Sequence, residues 1–141
     1  KVRLAKRGTQ VKFLKLDFRD CPDLAQTVMV VAAVKGIELE MTGLESLKIK
    51  ETDRIEAMKN ELYKIGALLL EKPNSWFLKP SESLPKSIKV ETYEDHRMAM
   101  AFAPLCCKMD VIIDDPKVVD KSYPDFWKEV KKVGVAINTL T

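Results

Sequence analysis

Lys50, Glu51, Asp53 and Arg54 bring two cations and two carboxylates together just ahead of Ile55, Met58, Leu62 and Ile65, a run with helical spacing. Lys50 and Arg54 lie four apart, so at a helix start they would share one face. The helix dipole disfavours cations at that end, and the free N–H groups there attract anions. A cation pair beside a carboxylate in such a place points to an anionic substrate. It also reads as a solvated cap with weak ion pairs. Further charges stand at other helix starts: Asp23 after Pro22, His96 and Arg97 after Glu94-Asp95, and Lys121 ahead of Tyr123-Pro124. Taken singly, His96 is a capping histidine and Arg97 an ion-pair partner of Glu94 or Asp95. Together these starts offer Lys, Arg, Arg and Lys beside Asp and Glu, and departures from local economy gather at functional sites.

The surrounding chain must hold these starts in place. Val11 to Phe18 alternates as a strand. Pro22 suits the first position of a helix running from Asp23 to about Lys35, with Asp20 or Cys21 as its cap. That helix is apolar on nearly every side, so it is expected to be buried. Gly36 ends it, Ile37 to Met41 makes a strand, and Gly43 opens the loop to Lys50. Gly66 stops the helix begun at Ile55. Ala67–Glu71 and Trp76–Leu78 form a hairpin around Pro73-Asn74-Ser75, and 80–85 is a polar connector. The pattern then restarts. Ser87–Thr92 is a strand, and Met98 to Leu105 forms a second all-round apolar helix, with Pro104 kinking it or ending its regular part. Val111–Ile113 is a strand, and Phe126, Val130 and Val133 share one side of a helix that Gly134 stops. Val135–Leu140 is expected as a last strand. The chain thus divides into an α/β repeat, with units at about 11–85 and 86–141. Asp23 matches Asp95, and Lys50 matches Lys121. The matching helix starts are expected at one end of the domain.

A length of 141 residues suffices for one domain with a real core. A net charge of +3 is too small to imply nucleic acid. Lys1, Arg3, Lys6, Arg7, Lys12 and Lys15 are locally basic, which a solvated edge explains, or a surface exposed by cutting a longer protein. No apolar run is long enough to span a bilayer, and no signal peptide begins the chain. Cys21, Cys106 and Cys107 are odd in number and form no CxxC pair, which suggests reduced thiols in the cytoplasm. Cys21, at a helix start, reads as a packed structural residue or a nucleophile. One histidine without ligand-like spacing argues against zinc.

Ile49-Lys50-Glu51-Thr52-Asp53-Arg54, Tyr93-Glu94-Asp95-His96-Arg97-Met98-Ala99-Met100, Pro22-Asp23 and Asp120-Lys121-Ser122-Tyr123-Pro124-Asp125-Phe126 resemble the C-terminal part of the 5-enolpyruvylshikimate-3-phosphate synthases. The resemblance runs from about Val11 to the end. It implies two domains, each an inside-out α/β barrel of three βαβαββ units, with the site in the cleft. Residues 1–141 would be a partial domain of this enolpyruvyl transferase type, about two of three units. The N-terminal domain of the same chain, with further phosphate-binding basic residues, would be missing. The implied reaction moves the enolpyruvyl group of phosphoenolpyruvate to the 5-hydroxyl of shikimate 3-phosphate, releasing phosphate, without metal or organic cofactor.

By that resemblance Asp23 is the base and contacts shikimate 3-phosphate, and Glu51 is the acid that protonates C3. Lys50 contacts the shikimate side. Arg54 and Arg97 fork onto the phosphoenolpyruvate carboxylate, Lys121 meets its phosphate, and His96 is a nearby polar contact. Ser46 stands where the family can carry an asparagine that touches the shikimate substrate. No nucleic acid or membrane partner is implied. The other readings are the sister transferase acting on UDP-N-acetylglucosamine, against which the two long motifs argue, and a non-catalytic anion- or nucleic-acid-binding module.

Overall fold

Gly43 shows how tightly the chain is folded back: its φ is +76°, and a Cβ there would come within 2.4 Å of the Arg19 backbone nitrogen. Only glycine meets both demands at once. In the computed structural model, which describes residues 2, 3, 5, 8 and 10–140, this contact joins the ends of two parallel strands. They are β1 (Phe13–Asp17) and β2 (Glu38–Thr42), paired from Phe13↔Glu38 to Asp17↔Thr42. Lys1, Lys6 and Arg7 of the basic stretch lie outside the described residues.

Between these strands a 3-10 turn at Pro22–Leu24 leads into α1 (Ala25–Lys35). A second 3-10 turn, Glu45–Ile49, precedes α2 (Arg54–Lys64). The hairpin β3 (Leu68–Lys72) and β4 (Ser75–Lys79) turns on Pro73-Asn74, with Asn74 at φ 61°. β4 pairs antiparallel with β2, giving the sheet order β1-β2-β4-β3. This is one complete βαβαββ unit. The second run is β5 (Ser87–Val90), α3 (His96–Phe102), a 3-10 turn at Ala103–Cys107, β6 (Asp110–Ile113), a 3-10 turn at Pro116–Val119 and α4 (Phe126–Lys132). β5 and β6 form a separate parallel pair.

Leu39, Met41, Trp76 and Leu78 of the first sheet close on Met29 and Ala33 of α1 and on Ile55, Met58 and Leu62 of α2. α1 packs against both α2 and α3, and the turn at Pro116–Val119 packs on α3. The starts of α1, α2 and α3 therefore meet at one end of the molecule.

Three expectations need correction. α1 is not buried all round: Ala25, Gln26, Met29, Val30, Ala32 and Ala33 are buried, but Val31 is 46% exposed on the one side that the described helices and strands leave uncovered. Val135–Leu140 forms no strand, since among the described residues no strand pairs with it, and an unpaired strand leaves its backbone groups to water. On α4, Val133 is 80% exposed and marks the helix end instead of an apolar side.

Candidate active site

Asp53 is the cap of α2. Its backbone is extended, and its side chain accepts from the Glu56 N–H at 3.0 Å. The cap starts the helix at Arg54 and leaves Lys50 outside, in extended backbone after the 3-10 turn. The expected shared helix face of Lys50 and Arg54 therefore does not form. The two cations meet through Asp23 instead, whose Oδ1 lies 3.9 Å from Lys50 Nζ and 3.0 Å from Arg54 Nη1.

Arg54 is 1% exposed, and its guanidinium is the centre of the site. Nε donates to Asp95 Oδ2 at 2.5 Å, and Nη2 donates to Asp95 Oδ1 at 3.2 Å and Glu51 Oε2 at 2.7 Å. Burial pulls the Arg54 pKa down. The hydrogen bond to Asp95, with the charges of Asp95, Glu51 and Asp23, outweighs this and holds it above the usual guanidinium value. A buried charge is tolerated only when it is paired and hydrogen-bonded in this way. Asp95 is fully buried, whereas Asp23 and Glu51 are about half exposed. The cluster thus has a closed inner edge and an open outer edge.

Asp95 also caps α3, accepting the Arg97 N–H on Oδ1 at 2.9 Å. Arg97 reaches back to Asp23, with Nη1 on the backbone carbonyl at 3.1 Å and Nη2 on Oδ2 at 3.3 Å. Lys50, Arg54 and Arg97 therefore converge on one carboxylate. His96 Nδ1 is 3.7 Å from Asp95 Oδ1. Just before the cap, Tyr93 and Glu94 hold φ values of 53° and 57°. Two successive non-glycine residues in the left-handed region cost on the order of 1–3 kcal/mol each.

Of the residues singled out in the sequence, Asp23, Lys50, Glu51, Arg54 and Arg97 come together, with His96 beside them. Lys121 is exposed beyond the turn that packs on α3, and among the described residues it makes no ion pair. Ser46 is exposed in the Glu45–Ile49 turn and is not among the residues hydrogen-bonded to the cluster. The sequence reading did not count Asp95 among the site residues. Its signal was the equivalence with Asp23, which puts a carboxylate on each side of the Arg54 guanidinium. Among the described residues no group of three or more His, Cys, Asp or Glu side chains is arranged to hold a metal ion. Nor is any helix there long and apolar enough to cross a membrane.

The family model described as EPSP synthase (3-phosphoshikimate 1-carboxyvinyltransferase) matches residues 2–130. A 3-phosphoshikimate 1-carboxyvinyltransferase of Bacteroides fragilis is 49% identical over 139 residues, covering 96% of this chain and 34% of the relative. One from Clostridium novyi is 41% identical over 127 residues, covering 89% and 29%. Among solved structures, EPSP synthase from Acinetobacter baumannii superposes with a TM-score of 0.73 at 23% identity, over 92% of this chain and 32% of that one. The fold is therefore shared with that enzyme: the βαβαββ unit is part of an inside-out α/β barrel. The chain spans about a third of the length of the curated relatives it matches.

Proposed function

The chain belongs to the EPSP synthase family, and on that premise we propose that it forms one wall of the active site of a 3-phosphoshikimate 1-carboxyvinyltransferase. The reaction moves the enolpyruvyl group of phosphoenolpyruvate to the 5-hydroxyl of shikimate 3-phosphate and releases phosphate. The observation that carries this reading is the convergence of Asp23, Glu51, Lys50 and Arg97 on the open side of Arg54. Two polyanionic substrates need such cations, and addition across a double bond needs a base and an acid within reach.

In this reading Asp23 takes the proton of the attacking hydroxyl. The oxygen bonds to C2 of phosphoenolpyruvate, and Glu51 gives a proton to C3. Glu51 then takes a C3 proton back as the C2–O bond to phosphate breaks, and the hydroxyl proton leaves with phosphate. Arg54 keeps its fork on Asp95. Its outer N–H groups exchange Asp23 and Glu51 for the phosphoenolpyruvate carboxylate, which frees both carboxylates for proton transfer. Arg97 grips the same carboxylate, Lys50 and Ser46 face shikimate 3-phosphate, Lys121 meets the transferred phosphate, and His96 lends a polar contact. The other wall belongs to a further domain of the same chain. The free Cys21, Cys106 and Cys107 support a reducing compartment, the cytoplasm.

The test follows deuterium entering C3 of phosphoenolpyruvate in heavy water, in the full-length protein that carries this segment. Glu51→Gln is expected to leave both substrates binding within about twofold and to cut C3 exchange and turnover together by about a hundredfold or more. Exchange as fast as in the wild type would remove Glu51 as the acid. Binding of a nucleotide sugar in preference to shikimate 3-phosphate would replace the whole reading by the sister transferase.

A further inference from the structure

Glu61 lies on α2, two turns beyond Arg54, and is fully buried. It takes no part in the chemistry above. Its Oε1 accepts from the Tyr93 hydroxyl at 3.0 Å, and its Oε2 accepts from the Glu91 N–H at 3.2 Å. Lys64 Nζ bridges both oxygens at 2.8 Å and reaches on to the Lys89 carbonyl at 3.1 Å. The carboxylate is therefore tied to two points of the segment leading from β5 to α3, Glu91 and Tyr93, and through Lys64 to Lys89 in β5 itself. That segment contains the two successive left-handed residues, Tyr93 and Glu94. It ends at Asp95, whose N–H donates to the Thr92 carbonyl at 2.9 Å.

We propose that Glu61 and Tyr93 are positioning residues, a clamp that holds the strained Tyr93-Glu94 turn so that Asp95 meets Arg54 and caps Arg97. The proposal rests on the functional reading above only for its effect on turnover. An apolar side chain would pack α2 at least as well as a buried Glu–Lys pair, since such pairs contribute little net stability. What a carboxylate adds is the ability to accept a hydroxyl and a backbone N–H at fixed positions. Without those bonds the left-handed residues relax toward ordinary backbone, and the Asp95 carboxylate rotates away from the guanidinium. Tyr93 is suited to donating. Its hydroxyl is protonated at neutral pH, and burial, then the hydrogen bond and charge of Glu61, push its pKa further up, from 10.0 to about 12.

The experiment uses the full-length protein with Tyr93→Phe and Glu61→Gln, each with and without Glu94→Asn. Asparagine enters the left-handed region more readily than glutamate, so it lessens the strain the clamp resists. Two readouts are taken: hydrogen exchange of the Arg97 amide, and kcat/KM for each substrate. Tyr93→Phe and Glu61→Gln are expected to speed Arg97 exchange about tenfold. They should lower kcat/KM for phosphoenolpyruvate by a similar factor, with kcat/KM for shikimate 3-phosphate within about twofold. Adding Glu94→Asn is expected to recover most of both losses. Unchanged Arg97 exchange in both single variants would overturn the clamp whatever the activity. Losses that Glu94→Asn leaves in place would overturn it too, as would equal losses for both substrates. Wild-type protein without phosphoenolpyruvate-dependent phosphate release would end the functional reading and leave the clamp to be decided by the Arg97 amide.

Discussion

A guanidinium and an ammonium differ most where several acceptors surround one cation. Arg54 is such a case: Asp95 takes its planar fork, while Asp23 and Glu51 take the remaining edge. Lysine keeps the charge but not the fork, and its single nitrogen reaches one or two of those carboxylates. Arg54→Lys is therefore expected to lower stability by on the order of 2–4 kcal/mol, because Asp95 stays buried with a poorer partner. In the full-length protein it should also weaken the response to phosphoenolpyruvate more than to shikimate 3-phosphate. Thermal unfolding and substrate titrations check the two halves of that statement, and an unchanged melting temperature would show that the planar fork is dispensable for stability. Much of this was legible in the sequence, because cations at helix starts oppose the dipole and stand out. Asp95 was harder to see, since a capping aspartate is ordinarily solvated and no local pattern shows that a guanidinium from another helix covers it. Glu61 had a signal. Arg54, Met58, Glu61 and Ile65 fall at i, i+4, i+7 and i+11, so charges occupy places on the apolar stripe of α2.

Elements depend on their neighbours for definition, and glycine positions show the difference between local and distant demands. Gly36, which ends α1 at φ +70°, has nothing within 4 Å of an added Cβ. Gly43 has a similar φ of +76° and the Arg19 backbone within 2.4 Å. Gly36→Ala is expected to cost about 1 kcal/mol, from conformation alone. Gly43→Ala should cost more than twice that, because β1 and β2 must part to admit a methyl group. Denaturant melts of the two variants side by side test this, and equal losses would show that the close approach is dispensable. The glycines and prolines ended elements where the sequence placed them. The last stretch, Val135–Leu140, has strand composition but no strand partner among the described residues. Composition proposes a strand, whereas pairing decides it. Likewise the uniform apolarity of α1 marked it for burial without saying which neighbours cover which face.

At the scale of the molecule, the starts of α1, α2 and α3 form one open wall, with Asp23 and Glu51 facing outward. Water reaches such a surface freely, and a reaction that needs two aligned substrates needs an opposite wall. The 141-residue chain by itself is expected to release phosphate from phosphoenolpyruvate and shikimate 3-phosphate at least about a thousandfold more slowly than the full-length protein. A phosphate-release assay on both settles it, and comparable turnover would show that this wall suffices. α2 has a consequence of another kind. Arg54 at its first residue is neutralised by Asp95, and Glu61, about 10 Å further along the axis, is engaged by Glu91 and Tyr93. Separated from residues 86–140, the first unit would keep a buried guanidinium without its main counter-ion. Separated from α2, the second would keep a left-handed turn with nothing to hold it. The repeat seen in the sequence is therefore not a division of the folding free energy. The two runs are expected to gain their stability jointly and to unfold as one cooperative body, in a single transition by any probe.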